Sequence, residues 1–401
     1  MQGLQKHLFL TYATSLSVLG LFASDMYIPA LSSIRNHYET TSGMVGLSLS
    51  LYMVGFGVAQ LFYGALSDQI GRKKPLLAGL GLFLISTIGC IYANTIETFI
   101  VFRLLQSIGV GAAYVLWQPM IIDIFKKEDV QKIFTLLMAL GSISPAVAPL
   151  VGGYLSKWNG WQTVFWFISI MTMVLIVWTT LAYRESLNIH ARQKFSLPKI
   201  ISTYGYFLKD HFFIGYSMTI ACGITLYFVF LTMLPFILSD IGYDSASIGL
   251  MYIPIVCAFI IGAQVCKKRY HLNGDSNSIF MGSNFAVFGA GLLFCTSIFI
   301  EITSAWQIIL PVSFIAFGNG FIVPTGTAFL MKCYSDKSGS CASLIGFLTA
   351  ITAFLSTSMA SSMIDTLGIH SMAITILIFA VLMIISLYIG RKYTPIAHSL
   401  A

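Results

Sequence analysis

Charge is what this sequence has least of. Only 9% of its 401 residues are Asp, Glu, Lys or Arg, whereas a soluble domain carries about 25%, so there is too little polar side chain to coat a water-facing surface. Seven cysteines, an odd number, stand singly at Cys90, Cys222, Cys257, Cys266, Cys295, Cys333 and Cys341. Their spacing forms neither a disulfide framework nor a metal-ligand set. The histidines fall in tails, loops or the ends of apolar stretches, and none is assigned to a proton relay. These shortages argue against a soluble enzyme, a disulfide-stapled domain and a zinc module, and no cofactor is expected.

What fills the chain is apolar, at 57% of residues. A spanning helix needs about 20 mostly apolar residues. Twelve such stretches run roughly over 8 to 30, 43 to 66, 75 to 93, 97 to 122, 132 to 156, 161 to 183, 211 to 238, 246 to 266, 277 to 298, 304 to 331, 339 to 363 and 369 to 390. The first has the position of a signal peptide, but its apolar run is long, further spans follow at once, and Asp25 and Pro29 occupy the place of a cleavage region. An all-α membrane protein of twelve transmembrane helices is expected.

A net charge of +7 raises the question of a nucleic-acid partner, and the placement of the cations answers it. Nineteen of the 22 lie in tails or breaks on the side of the N-terminus, including Lys6, Arg72, Lys73, Lys74, Arg184, Lys209, Lys267, Lys268, Arg269, Arg391 and Lys392. Arg35 and Lys157 lie on the other side, and Arg103 lies within a span. The positive-inside rule puts both termini in the cytoplasm, which agrees with an even number of spans. The longest break divides six spans from six. Domains are therefore expected at 1–183 and 211–401, with 184–210 as a cytoplasmic linker. Weak self-similarity at an offset near 205 residues pairs Pro29 with Pro235, Ala59-Gln60 with Ala263-Gln264, and Gly109-Val110-Gly111 with Gly318-Asn319-Gly320, as internal repeats would.

The break between the second and third stretches reads Gly64-Ala65-Leu66-Ser67-Asp68-Gln69-Ile70-Gly71-Arg72-Lys73-Lys74. Gly64 and Gly71 allow a tight turn, and Asp68 beside these cations can form hydrogen-bonded charge pairs; the plainer reading is a positive-inside anchor. Asp25 sits near the outer end of the first stretch. A carboxylate within a span is costly unless paired, hydrated or protonated, so a functional role is the default. It is only about 7 Å from the helix end at 1.5 Å per residue, however, and a hydrated structural carboxylate is the alternative. Arg103 lies about 9 Å inside the same boundary, so the two charges can meet if the first and fourth spans are neighbours.

The fifth stretch holds Gly141, Pro145, Pro149, Gly152 and Gly153. Its prolines remove backbone donors and its glycines permit close packing, which also suits an ordinary kinked helix. Asp123, beside Lys126 and Lys127, reads as a solvated cap or loop pair. Tyr27, Tyr52, Gln106, Tyr114, Trp117, Tyr227 and Asn319 are candidates for lining a substrate cavity, although aromatic residues in spans more often serve packing or the interface.

The loop at residues 64–73 resembles that of the major facilitator superfamily, G-x-L-x-D-x-x-G-R-K/R, matched here by Gly64, Leu66, Asp68, Gly71, Arg72 and Lys73. Its counterpart in the second half, Gln264 to Asp275, keeps the basic cluster and lacks the Asp and Gly positions. Three further elements are similar to the twelve-span drug:proton antiporter branch: Asp25 with Pro29, Ala30 and Leu31; Arg103 with Gln106, Gly109 and Gly111; and Pro149 with Gly152 and Gly153, where Ala148 replaces a glycine. Their wording is nearest to the Bcr/CflA, bicyclomycin-resistance-like group. Ser17 stands where some members of the branch carry a second acid, which argues against a preference for cationic drugs.

The resemblance implies two pseudo-symmetric six-helix bundles, a gating loop built on Asp68 and Arg72, proton coupling through Asp25 and Arg103, and an antiporter helix around Pro149. The expected function is proton-driven efflux of a small amphipathic compound across the cell inner membrane by a monomer. Its partners would be a small-molecule substrate, protons and the lipid bilayer, with no nucleic acid and no cofactor. A proton-coupled importer and a non-transporting membrane sensor stay open on the sequence.

Overall fold

The computed structural model describes residues 3–125, 127–187, 197–334 and 337–393, and every regular element among them is a helix. In chain order they are α1 (Gly3–Asp25), a 3-10 turn (Ile28–Ala30), α2 (Leu31–His37), α3 (Ser42–Ile70), α4 (Lys73–Tyr92), α5 (Ile96–Ile124), α6 (Lys127–Asn159), α7 (Gln162–Leu181), α8 (Leu197–Lys209), α9 (His211–Asp240), α10 (Ser245–Leu250), α11 (Ile253–Phe299), α12 (Trp306–Cys333), α13 (Ser338–Leu367) and α14 (Ile369–Lys392). Helices are the expected outcome for lipid-facing chain, because an α-helix satisfies its backbone donors and acceptors internally.

Eleven helical segments among the described residues are long and apolar enough to cross a membrane. The expected fifth span lies in α6, which is 33 residues long and some of whose side chains fall outside the described residues; with it the count reaches twelve. Two expectations need correction. The second span does not end at 66 but continues as helix through the motif to Ile70, so Gly64 is a helical residue rather than part of a turn. The stretch Gln264 to Asp275 is not an open loop: helix runs to Gly274, whose φ of 67° breaks it. Gly274 therefore supplies the left-handed glycine that the second half was expected to lack, matching Gly71 at φ 96°. A residue with a Cβ pays for that conformation and glycine does not. The stretch 184–210 includes helix α8.

The chain divides into two compact units, one of residues 1–40 and 51–195, the other of residues 41–50 and 196–401. Within the first unit, α1 packs on α5, α6 and α7, and α4 packs on α5 and α7. Within the second, α9 packs on α12, α13 and α14, and α11 on α12 and α14. There α8 is fixed by the side chain of Asp210, which caps α9 by accepting from the amides of Phe212 at 2.9 Å and Phe213 at 3.4 Å and also accepts from the Tyr334 hydroxyl. Phe207 closes the corner against the rings of Phe213 (4.6 Å) and Tyr334 (5.2 Å). Burial, followed by the Asp210 carboxylate, holds the Tyr334 phenol well above its ordinary pKa, so it remains a donor throughout the working pH range.

Candidate functional site

The first cluster forms where α1 ends. Asp25 is its last residue and is only 4% exposed; its Oδ1 accepts from the Ser24 hydroxyl at 2.6 Å. Arg103, on the facing α5, is fully buried. Its Nη1 donates to the carbonyl of Ala23 at 3.2 Å and to Gln106 Oε1. Gln106 in turn donates to Thr87 on α4 at 2.8 Å. The guanidinium is layered between the rings of Tyr27 at 3.9 Å and Tyr52 at 4.3 Å, a geometry that stabilises a cation where water is absent.

The depth comparison from sequence thus brings Arg103 to α1, but not into contact with the carboxylate: Asp25 and Arg103 bond to different groups, and no ion pair joins them among the described residues. The physical reason is that the guanidinium, coming from α5, meets the carbonyl of Ala23, two residues before Asp25, and two aromatic faces. Among the described residues Arg103 Nε and Nη2 have no acceptor, an arrangement that costs free energy in a buried site.

Helix α6 reaches the same corner. Pro145 and Pro149 lie inside α6, and Gly152 packs so closely on the carbonyl of Met26 that any Cβ would collide with it. Gly153 is buried beside it. Gly141 lies in the part of α6 whose side-chain surroundings are outside the described residues. The turn carrying Asp25 is therefore held between α5 and α6.

The second cluster surrounds Gly71 and Arg72. Arg72 Nη1 donates to Ser67 at 2.6 Å and to Asp68 at 2.5 Å, and Nε donates to Asp123 at 3.1 Å. Burial works against the charge on Arg72, yet the hydrogen bonds and charges of Asp68 and Asp123 hold its pKa above the ordinary arginine value; it is a permanent cation bridging α3 and α5. Of the two readings of Asp123, a solvated cap or a loop pair, the second holds: its carboxylate is turned to Arg72, in the connection between α3 and α4.

Residues 13–357 match the Major Facilitator Superfamily. The chain belongs to that superfamily. It is 33% identical over 228 residues to the uncharacterized MFS-type transporter YdgK of Bacillus subtilis, a match that spans 56% of this chain and 57% of that relative. Multidrug resistance protein D of Escherichia coli is 22% identical over 92% of both chains. A bicyclomycin resistance protein homolog of Haemophilus influenzae is 23% identical over 88% of both. Among solved structures, a bacterial homolog of the human lysosomal transporter Spinster aligns with a TM-score of 0.76 at 12% identity, covering 98% of this chain and 97% of that one, a likeness of fold.

The major facilitator framework accounts for the remaining candidates unevenly. Tyr27, Tyr52 and Gln106 surround Arg103. Tyr114 adjoins that cluster through Phe56, whose ring lies 4.9 Å from Tyr114 and 6.3 Å from Tyr52, and Trp117 packs on Phe134 at 5.4 Å. In the second unit Asn319 donates to the carbonyl of Gly223 at 2.7 Å, leaving its own Oδ1 without a partner, and Tyr227 neighbours Phe228 and Phe230. Sequence reading missed Thr87 and Glu185. Only Thr87 carried any signal, as a polar residue within a span.

Two expectations follow from this geometry. Arg103→Lys should fail to restore transport even though it keeps the charge, because an ammonium cannot present a planar face to Tyr27 and Tyr52 while donating to Ala23 and Gln106. Uptake by vesicles at matched protein levels checks this, and activity near that of the unaltered protein would contradict it. Asp68→Asn should slow turnover by roughly tenfold, about 1.4 kcal/mol, with little change in substrate affinity, since Asp68 contacts Arg72 and no candidate cavity residue. Equilibrium binding and transport measured side by side separate the two quantities.

Proposed function

We propose that this transporter exports small amphipathic compounds from the cytoplasm across the inner membrane in exchange for inward-moving protons, acting as a monomer through alternating access of its two bundles. The observation that carries the reading is Asp25, a buried carboxylate beside a layered cation that does not neutralise it by direct contact. Such a group is most economically placed within a membrane when it gains and loses a proton. The protonation state of Asp25 biases which conformation is favoured. One proton per cycle gains about 1.4 kcal/mol per unit of pH gradient, with about 2.3 kcal/mol per 100 mV if net charge also crosses.

The similarity to resistance proteins supports export, and the basic residues gathered on the N-terminal side support cytoplasmic termini. The cavity residues are few and mostly uncharged, which suits an apolar compound with a small number of polar groups. Transport by inverted membrane vesicles tests the proposal. When the lumen is acidified, an antiporter accumulates substrate there, with bicyclomycin as the first probe and a panel of toxic compounds and secreted metabolites behind it. Substrate leaving the lumen with the protons would identify an importer instead. A deletion strain that gains neither susceptibility nor intracellular accumulation for any compound would count against export.

A further inference from the structure

The side chain that caps the gating turn is one that no part of the loop motif contains. Arg72 precedes α4 without capping it through its own side chain. The cap comes from Glu185, beyond the end of α7: Oε1 accepts from the Arg72 amide at 2.8 Å and Oε2 from the Lys73 amide at 3.1 Å. The exchange is reciprocal, because Lys73 Nζ donates to the carbonyls of Thr180 at 3.0 Å and Tyr183 at 2.6 Å, which α7 leaves open at its C-terminus. Carboxylates at helix N-termini and ammonium groups at C-termini each satisfy open backbone groups and complement the helix dipole.

The adjoining residue, Ser186, donates to Asp123 Oδ2 at 3.0 Å, the oxygen that also receives Arg72 Nε, and Ser186 shares a hydrogen bond of 2.8 Å with the Tyr183 hydroxyl. Residues 183–186 therefore hold Arg72 from two sides, by its backbone through Glu185 and by its carboxylate partner through Ser186. These residues also open the connection that leads to the second unit.

We infer that Glu185 is a positioning residue of the gating turn: it sets the backbone of Arg72 so that the guanidinium reaches Asp68 and Asp123 together, and it ties the start of the inter-unit connection to that charge cluster. The transport consequence rests on the reading of this chain as a transporter; the structural consequence does not. With Glu185→Gln, one oxygen acceptor and the negative charge at the start of α4 are lost, and turnover falls roughly fivefold at nearly unchanged affinity, a change of about 1 kcal/mol.

The test uses the full chain in lipid nanodiscs and in inverted vesicles. Glu185→Gln and Glu185→Ala are compared with Thr95→Ala, which removes a cap of ordinary type at the start of α5 away from the turn. Amide hydrogen exchange is expected to speed up over 72–76 in both Glu185 variants, and also over 64–70 and 120–125, where Arg72 finds its partners. Thr95→Ala should loosen only the start of α5. In vesicles supplied with bicyclomycin, the Glu185 variants should lower the maximal rate and leave the half-saturating concentration unchanged, and Thr95→Ala should alter neither. Faster exchange confined to 72–76, or a Glu185→Gln rate equal to that of the unaltered protein, would overturn the inference. If the unaltered protein moves no bicyclomycin, export of that compound fails as a reading, while the exchange pattern over 64–70 and 120–125 still decides the role of Glu185.

Discussion

Asp25→Asn should remain in the membrane at normal levels and lose proton-coupled transport by at least a hundredfold, about 2.7 kcal/mol or more in the rate-limiting step. The substitution changes one atom in size and keeps an acceptor for the Ser24 hydroxyl, which now donates at 2.6 Å, so the end of α1 has no steric reason to move. What disappears is the ability to take up and release a proton in a site that is 4% exposed. Downhill exchange of substrate between the two sides, which needs no net proton movement, should survive, and the dependence of its rate on pH should vanish. Uphill accumulation in acid-loaded vesicles equal to that of the unaltered protein, with the same pH profile, would remove Asp25 from the mechanism.

The other large effect is expected from a single methyl group. Gly152→Ala should abolish transport and lower the melting temperature, because the new Cβ would overlap the carbonyl of Met26, the residue after Asp25. A main-chain oxygen at a helix terminus cannot swing aside as a flexible side chain can, so either α6 or the Asp25 turn must shift, and overpacking of this kind costs about 1–3 kcal/mol or more. Gly81→Ala in α4 provides the contrast, since a Cβ there meets nothing within 4 Å. It should leave transport intact and stabilise the helix by about 1 kcal/mol. Thermal unfolding in detergent and vesicle uptake for both variants check the pair; a Gly152→Ala protein that transports normally would show that this corner yields easily.

Much of the architecture was legible because lipid reduces the choices. A long apolar run that must satisfy its own backbone becomes a helix, and the pattern of such runs located the spans despite errors at their ends. Those errors have one cause: polar residues do not stop a helix. Asp68 and Gln69 were read as loop, yet α3 carries them to Ile70. Likewise Lys267, Lys268 and Arg269 remain helical until Gly274 supplies the left-handed backbone. The site was legible as residue types, since a carboxylate and a guanidinium in spans stand out against an apolar background. Their partners were not, because Ala23 offers Arg103 only a backbone carbonyl and Tyr52 is one tyrosine among nineteen.

Composition, span lengths and short motifs were sufficient by themselves to determine membrane insertion, helical class, the superfamily and the two polar centres, because each depends on local chemistry: hydrophobic length, the conformational freedom of Gly71, or the cost of an isolated charge. Tertiary structure alone decided which groups those centres touch. It turned Arg103 to aromatic faces rather than to Asp25, brought Gly152 against Met26, and delivered Glu185 to an amide 113 residues earlier in the chain. Such contacts follow from how helices distant in sequence pack together, and a carboxylate just after a span looks the same in sequence whether it faces water or caps another helix.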